Sequence, residues 1–306
     1  MKILLLGANG QVGFELQRAL APLGELVCAT RSGTLSGGAV CARGDIADFD
    51  RLAALLDRVA PTLIVNAAAY TAVDRAEDEP DLARRINGEA VGGLGAWARR
   101  HAALVVHYST DYVFDGQGRA PYAVDAPTAP LGAYGASKLA GEVALRASGA
   151  EHLILRTAWV YAARGANFLR TMLRLARERD RLTVVDDQRG APTPARLIAT
   201  ATAAALLRLQ DGDPAWRATA LGTHHLVSAG EASWCEFARA IVERAHAAGV
   251  LARVPEVAAI STAQFPTRAR RPAYSVLDTR SFRETFRLHL PDWRDGLDGV
   301  IGELAP

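Results

Sequence analysis

The chain opens on an unbroken aliphatic run, residues 2–6, of the kind a strand shows when both of its faces are buried in a parallel sheet. Gly7-Ala8-Asn9-Gly10-Gln11-Val12-Gly13 follows directly. Val12, Leu16, Ala19 and Leu20 then recur at helical spacing until Pro22-Leu23-Gly24 ends the pattern. The alternation continues, with strands predicted over 26–30, 39–42, 62–65, 103–108 and 152–156. Helices are predicted from an Asp48 N-cap through 59, over 81–101 and over 134–146. Such regularity through residue 157 predicts an α/β fold built on a doubly wound parallel sheet of Rossmann type. Gly88, Gly92, Gly93 and Gly95 weaken the 81–101 helix, so close packing against a neighbour is expected there.

Past Trp159-Val160-Tyr161 the rhythm loosens. A helix over 167–179, a strand over 182–185, a helix over 195–209, a short strand over 224–227 and a helix over 233–247 precede a remainder rich in Pro and Arg. The expected organisation is a nucleotide-binding domain over 1–160, rejoined by parts of 182–228, and a smaller, mainly substrate-binding lobe over 161–306. Half of the 306 residues are apolar and 22% are charged, the range of an ordinary soluble globular protein. A net charge of +2 without clustering leaves no footprint for nucleic acid or a membrane surface. The apolar runs are too short to span a bilayer and Met1-Lys2 leads straight into a strand, so a cytoplasmic protein is expected. Cys28, Cys41 and Cys235 lack metal-ligand spacing and read as reduced, mostly buried thiols.

Two stretches carry candidate chemistry. His107-Tyr108-Ser109-Thr110-Asp111 closes a strand with hydroxyls, and Tyr134-Gly135-Ala136-Ser137-Lys138 places a phenol and an ammonium four residues apart on one helix face. The phenol is a candidate acid, the ammonium favours the phenolate left after proton transfer, and the Thr110 hydroxyl can hold a carbonyl oxygen. Lys2 and Lys138 are the only lysines in a chain whose other cations are arginines, which sets the ammonium at Lys138 apart.

The glycine turn is the second candidate site. Gly7, Gly10 and Gly13 stand between a strand and a helix, where the backbone can approach a pyrophosphate and the helix N-terminus offers free N–H groups. Because 27 glycines produce such a triple by chance in roughly one chain in five, the strand-turn-helix context carries more weight than the glycines. Arg31 follows the second strand, where the adenine ribose of a dinucleotide falls, and no acid stands beside it. A cation there suits a 2′-phosphate, so NADPH is the expected cofactor and NADH stays open as a second one.

The glycine pattern with Tyr134 and Lys138 resembles the extended short-chain dehydrogenases/reductases acting on nucleotide sugars. Further runs narrow the resemblance: Asn66 to Asp74, Tyr108 to Phe114, Leu155 to Tyr161, Gln188 to Thr193 and Arg270-Arg271-Pro272. Together they look like the dTDP-4-dehydrorhamnose reductase family, over the whole chain. The resemblance implies an NADPH-dependent oxidoreductase that closes dTDP-L-rhamnose synthesis, a step towards cell-surface polysaccharide. It implies Thr110, Tyr134 and Lys138 as the catalytic group. Gly10, Gln11, Val12, Asp45, Ile46, Ala68, Ala69, Tyr108 and Lys138 are implied at the cofactor, and Val73, Asp111 and Trp159 at the dTDP-sugar. Arg268, Arg270 and Arg271 are candidates for its diphosphate.

Neighbouring activities fit less well. A 4,6-dehydratase of this kind carries Asp-Glu after the threonine, whereas Asp111-Tyr112 stands here. A 4-epimerase keeps NAD and has an acid at the adenine ribose, where this chain has Arg31. A non-catalytic regulatory subunit has no need of an intact Thr110, Tyr134 and Lys138. The resemblance further implies a homodimer with Mg²⁺ held by glutamates, and Glu15 and Glu303 match two of those ligands. Arg196 stands where a third carboxylate aligns and would oppose a divalent cation, so activity insensitive to a chelator is expected, with Glu15 and Glu303 left open as Mg²⁺ ligands.

Overall fold

The computed structural model describes residues 1–305. Strand β1 (Lys2–Leu6) is buried from Ile3 onward, as its unbroken aliphatic run requires. The glycine turn leads into α1 (Gln11–Leu20), followed by β2 (Glu25–Thr30), β3 (Ala42–Arg43), α2 (Phe49–Val59) and β4 (Leu63–Asn66). Asp48 caps α2 by accepting from the Arg51 N–H. With β5 (Leu104–Thr110), β6 (His152–Thr157) and a returning strand, Gly222–His225, these form one seven-stranded parallel sheet. Its order is Gly222–His225, β6, β5, β4, β1, β2, β3. The expected α/β doubly wound sheet is thus present.

Two elements differ from expectation in instructive ways. The third strand reaches only Ala42–Arg43, because the preceding segment folds back through an antiparallel bridge from Thr34 to Val40, whose side chain is 90% exposed and has no core to enter. The single helix expected over 81–101 is α4 (Pro80–Arg84), a π turn (Arg85–Glu89) and α5 (Ala90–Arg100), preceded by a short α3 (Val73–Ala76). Buried Asn87 lies in the widened turn. Its amide accepts from Tyr70 N–H (2.9 Å) and donates to Tyr70 O (2.9 Å) and Ser137 Oγ (3.0 Å), an arrangement that fixes the loop after β4. The helix glycines do pack closely. A Cβ on Gly93 would lie 2.4 Å from the Phe49 ring, and one on Gly95 would lie 2.6 Å from Ser148 Oγ.

Helix α6 (Ala133–Ala147) carries Tyr134 and Lys138 beneath β5, and α7 (Phe168–Glu178) starts the second lobe. Helix α8 (Ala195–Asp211) returns to the sheet, burying Ile198, Ala199 and Leu206 in the same core as Leu16 and Leu20 of α1. A second core joins Leu169, Leu173, Phe237, Ile241, Trp293 and Leu297. The Pro- and Arg-rich remainder holds more structure than its composition suggested. Strand Glu256–Ile260 pairs in parallel with Arg181–Val185, and helices Arg280–Phe286 and Trp293–Gly302 complete the two cores. Among the described residues no helix is long and apolar enough to cross a membrane.

Candidate active site

A cleft of about 1080 Å³ crosses the C-terminal ends of the central strands and faces the second lobe. Gly7, Gly10, Gln11, Val12, Arg31, Asp45, Ile46, Ala68, Ala69, Tyr108 and Lys138 line it, together with Val73, Thr110, Asp111, Tyr134 and Trp159. Gly13 lies behind this wall, where a Cβ would fall 2.1 Å from Gly7 O, so its role is to let α1 approach β1. At Gly7, φ is +75° and a Cβ would meet Ala68 N at 2.6 Å, which reserves the turn for glycine. Helix α1 begins at Gly10 with no side-chain cap, and its first N–H groups therefore remain available to an anion. Asn167 of the second lobe donates to Gln11 Oε1 (2.8 Å), which draws the two lobes together over the glycine turn.

The candidate reacting groups gather at the end of β5 and the start of α6. Thr110 Oγ1 donates to Asp111 Oδ1 (3.0 Å) and accepts from Tyr112 N–H (3.2 Å). Burial pushes the Tyr134 phenol up to about 12, the neighbouring Thr110 hydroxyl pulls it back, and the charge of Asp111 adds to the rise. Lys138 is turned away from the phenol. Its Nζ donates to Tyr108 O (2.5 Å) and lies 3.3 Å from His107 Nε2, and burial pushes its pKa down to about 8 against the opposing charge of Glu142. No hydrogen bond joins Lys138 to Tyr134 in this arrangement, so any effect of the ammonium on the phenolate acts through charge. Tyr108 meets the cleft through its backbone, because its phenol donates to Thr202 Oγ1 (2.9 Å).

Asp111 is buried, and its carboxyl is pushed up to about 6 by burial, against hydrogen bonds to the carboxylate. Its Oδ2 has no partner, and the nearby Ser275 hydroxyl is turned to Arg189 O (3.3 Å). A buried, unsatisfied carboxylate oxygen in a cleft can accept a hydroxyl of a bound molecule. Trp159 sits at φ +47°, and its indole stacks on Trp234 at 3.4 Å and 2°. Trp234 and the adjoining Phe168 also line the cleft and carried no signal in the sequence, where a lone aromatic on an amphipathic helix reads as core.

The arginines separate. Arg31 is exposed at the cleft with Ser32, while the Thr30 hydroxyl is taken up by Gly33 N–H (3.0 Å) and Thr34 N–H (3.1 Å) and builds the turn. Arg43 lies outside the lining, in register with Thr30. Of the three candidates for a diphosphate only Arg271 lines the cleft. It is held by Asp74 Oδ2 (3.0 Å), and its buried Nε is unpartnered. Arg268 pairs with Asp78, and Arg270 is exposed elsewhere.

Glu15 and Glu303 lie away from this cleft, on either side of Arg196. Arg196 Nε approaches Glu15 Oε2 (3.3 Å) and its Nη2 approaches Glu303 Oε1 (2.8 Å), while Arg18 takes Glu15 from the other side (3.0 Å). A guanidinium between the two carboxylates supplies the positive charge that a divalent ion would bring. Among the described residues no group of three or more His, Cys, Asp or Glu side chains is placed to hold a metal.

This geometry has counterparts among known proteins. The family described as RmlD substrate binding domain matches residues 1–305. The dTDP-4-dehydrorhamnose reductase of Burkholderia thailandensis is 49% identical over 306 residues, covering 99% of each chain. That of Escherichia coli K12 is 46% identical over 305 residues, covering 99% of this chain and 98% of its own. The crystal structure of the Bacillus anthracis dTDP-4-dehydrorhamnose reductase in complex with NADP superposes with a TM-score of 0.85 at 32% identity, over 99% of this chain and 100% of that one. With a glycine-turn cleft, a Thr110-Tyr134-Lys138 group at its centre and full-length relatives at this identity, the chain belongs to the RmlD family of dTDP-4-dehydrorhamnose reductases.

Proposed function

We propose that the chain reduces the C4 ketone of dTDP-4-dehydro-L-rhamnose to give dTDP-L-rhamnose, with NADPH as the reductant. The observation that carries this reading is the placement of Thr110, Tyr134 and Lys138 in the same cleft as the glycine turn and the uncapped start of α1. The fit to a dinucleotide rests on Gly7 and Gly10, where side chains would close the approach to the backbone, and on free N–H groups facing the space a pyrophosphate would take. When bound, the nicotinamide cofactor supplies the hydride. The residues of this chain do the rest. Thr110 orients the carbonyl oxygen, and Tyr134, protonated at neutral pH because burial holds its pKa high, gives its proton to the alkoxide. Lys138 anchors the cofactor ribose. Asp111 and Trp159, with Val73, face the sugar, and Arg271 meets the diphosphate, because its unpartnered Nε lies in the cleft wall.

The direct test is NADPH consumption by the purified chain supplied with dTDP-4-dehydro-L-rhamnose. A protein that binds NADPH but consumes none with this ketone would be a regulatory relative instead. Cofactor choice rests on Arg31, the one cation at the ribose end of the cleft. Arg31→Asp is expected to raise the KM for NADPH roughly ten- to a hundredfold and to leave that for NADH nearly unchanged, the range for losing a charge-assisted contact. Equal efficiency with both cofactors before and after the change would remove Arg31 from the assignment. Turnover is also expected to be insensitive to EDTA, since Arg196 occupies the space between Glu15 and Glu303. Activity lost to the chelator and restored by magnesium would show a metal at work.

A further inference from the structure

Behind Lys138 lies a pair of polar side chains that the reaction as described does not use. His107 on β5 and Asn66 at the end of β4 are register partners, each 1% exposed. Asn66 Oδ1 accepts the Ala68 N–H (3.2 Å), which orients the amide so that its Nδ2 faces His107 Nδ1 at 3.1 Å. An amide nitrogen can only donate, so Nδ1 must be the acceptor nitrogen of the ring. The proton of the neutral imidazole is then on Nε2, the atom 3.3 Å from Lys138 Nζ. An N–H and an ammonium facing each other are two donors with no acceptor between them. An N–H facing a neutral amine makes a hydrogen bond.

We propose that Asn66 and His107 are positioning residues for Lys138: Asn66 locks the His107 tautomer, and the Nε2–H it leaves on the ring favours the amine form of Lys138 and holds Nζ against Tyr108 O. The reading deepens the proposed reductase site and rests on Lys138 belonging to its reacting group. The groups facing Lys138 are few. From β4 comes the uncharged amide of Asn66 acting through the ring, and from β5 come His107 and the Tyr108 carbonyl. From its own helix comes Glu142, one turn on, whose charge works in the opposite sense and is largely taken up by Arg156, Ser109 and Arg146. Burial and the nearby Lys138 hold His107 well below the usual histidine range, in keeping with a neutral ring. Burial pushes the Lys138 pKa down to about 8 and the Glu142 charge opposes it; the Nε2–H of His107 works in the same direction as burial.

The chain allows a direct test, because Lys2 and Lys138 are its only lysines. With lysine labelled at ¹³Cε, the NMR spectrum has two titrating signals, and Lys2→Arg identifies the one that remains as Lys138. Its midpoint is expected near 8 in the unmodified chain without substrate. Asn66→Ala frees the ring to carry its proton on Nδ1 and accept at Nε2, so the midpoint should rise by about half a pH unit or more, without any change of charge. Far-UV circular dichroism and the urea unfolding midpoint serve as the control for folding. A purely structural Asn66 would leave the midpoint where it was, and that outcome overturns the proposal.

Should Asn66→Ala fail to fold, ¹⁵N spectra of the unmodified chain decide the tautomer, with His107→Gln assigning its ring among the seven histidines. A protonated Nε2 and a bare Nδ1 are expected, and the reverse overturns the proposal. Neither measurement involves the keto-sugar. An enzyme that lacks the proposed activity would therefore still report on Asn66 and His107, and the two readings can fail separately.

Discussion

Tyr134→Phe is expected to cut turnover on the order of a hundredfold or more, the usual range for removing a positioned general acid, while NADPH binding stays near that of the unmodified chain. The change deletes one hydroxyl and keeps the ring, which packs edge-on against Tyr112 at 5.6 Å, so the cleft wall should survive. The single Thr110 proton, given to Asp111 in this arrangement, can turn to the ketone oxygen and orient it, but an alcohol is too weak an acid to replace the lost phenol. Comparing single-turnover NADPH oxidation with cofactor affinity separates the chemical step from binding. A variant with near-full turnover would remove Tyr134 from the mechanism.

Arg156→Met is expected to destabilise the fold by about 3–5 kcal/mol, the cost of stranding one partner of a buried ion pair. Glu142 is fully buried and Arg156 is 4% exposed. Arg156 meets the carboxylate with two parallel hydrogen bonds, Nε to Oε1 at 2.9 Å and Nη2 to Oε2 at 2.8 Å, and a third goes from Nη1 to Val124 O at 2.9 Å. Burial by itself would raise the pKa of Glu142. The hydrogen bond and charge of Arg156, with Ser109 and Arg146, instead hold it below the ordinary value. A carboxyl with a depressed folded pKa adds stability above its unfolded pKa and loses it as pH falls through the folded value, so the pair works at neutral pH and fades on acidification. The urea midpoint of Arg156→Met should fall sharply at pH 7 and less at acid pH. Combining it with Glu142→Leu should recover much of the loss, because no charge is then left buried. A double variant as unstable as the sum of the two single changes would show that packing, and not charge, is what the pair supplies.

The main sheet was legible because each of its strands carries its own signature. β1 is aliphatic from Ile3 to Leu6 and β4 from Leu63 to Val65, and the stretches buried on both faces of a parallel sheet can be little else. The glycine turn could be read for a similar local reason, since a sharp turn at φ +75° beside Ala68 leaves Gly7 no alternative. Thr110, Tyr134 and Lys138 were found by spacing, which a single strand end and a single helix face preserve in three dimensions. The second lobe was less legible. Strand Glu256–Ile260 reads Glu-Val-Ala-Ala-Ile, too short and too small-sided to show a clear period, and its partner Arg181–Val185 lies far off in sequence, so nothing local announces either the pairing or the helices that follow.

By itself, then, the sequence determined the strand-helix alternation, the glycine cradle and the gathering of Thr110, Tyr134 and Lys138 at one cleft, because each depends on backbone propensity or on residues within one element. Only the tertiary structure decided what surrounds them. The spacing of Tyr134 and Lys138 says nothing of what the ammonium touches, and in the fold it faces Tyr108 O and a histidine that meets Asn66 of the neighbouring strand. Trp234 joins Trp159 at the cleft from 75 residues away, and Arg156 neutralises Glu142 from a different element. Arg196 stands between Glu15 and Glu303, residues that lie at opposite ends of the chain. Charge, tautomer and stacking are properties of contacts between elements, and the energy of such a contact depends on burial and distance that no local run of residues encodes.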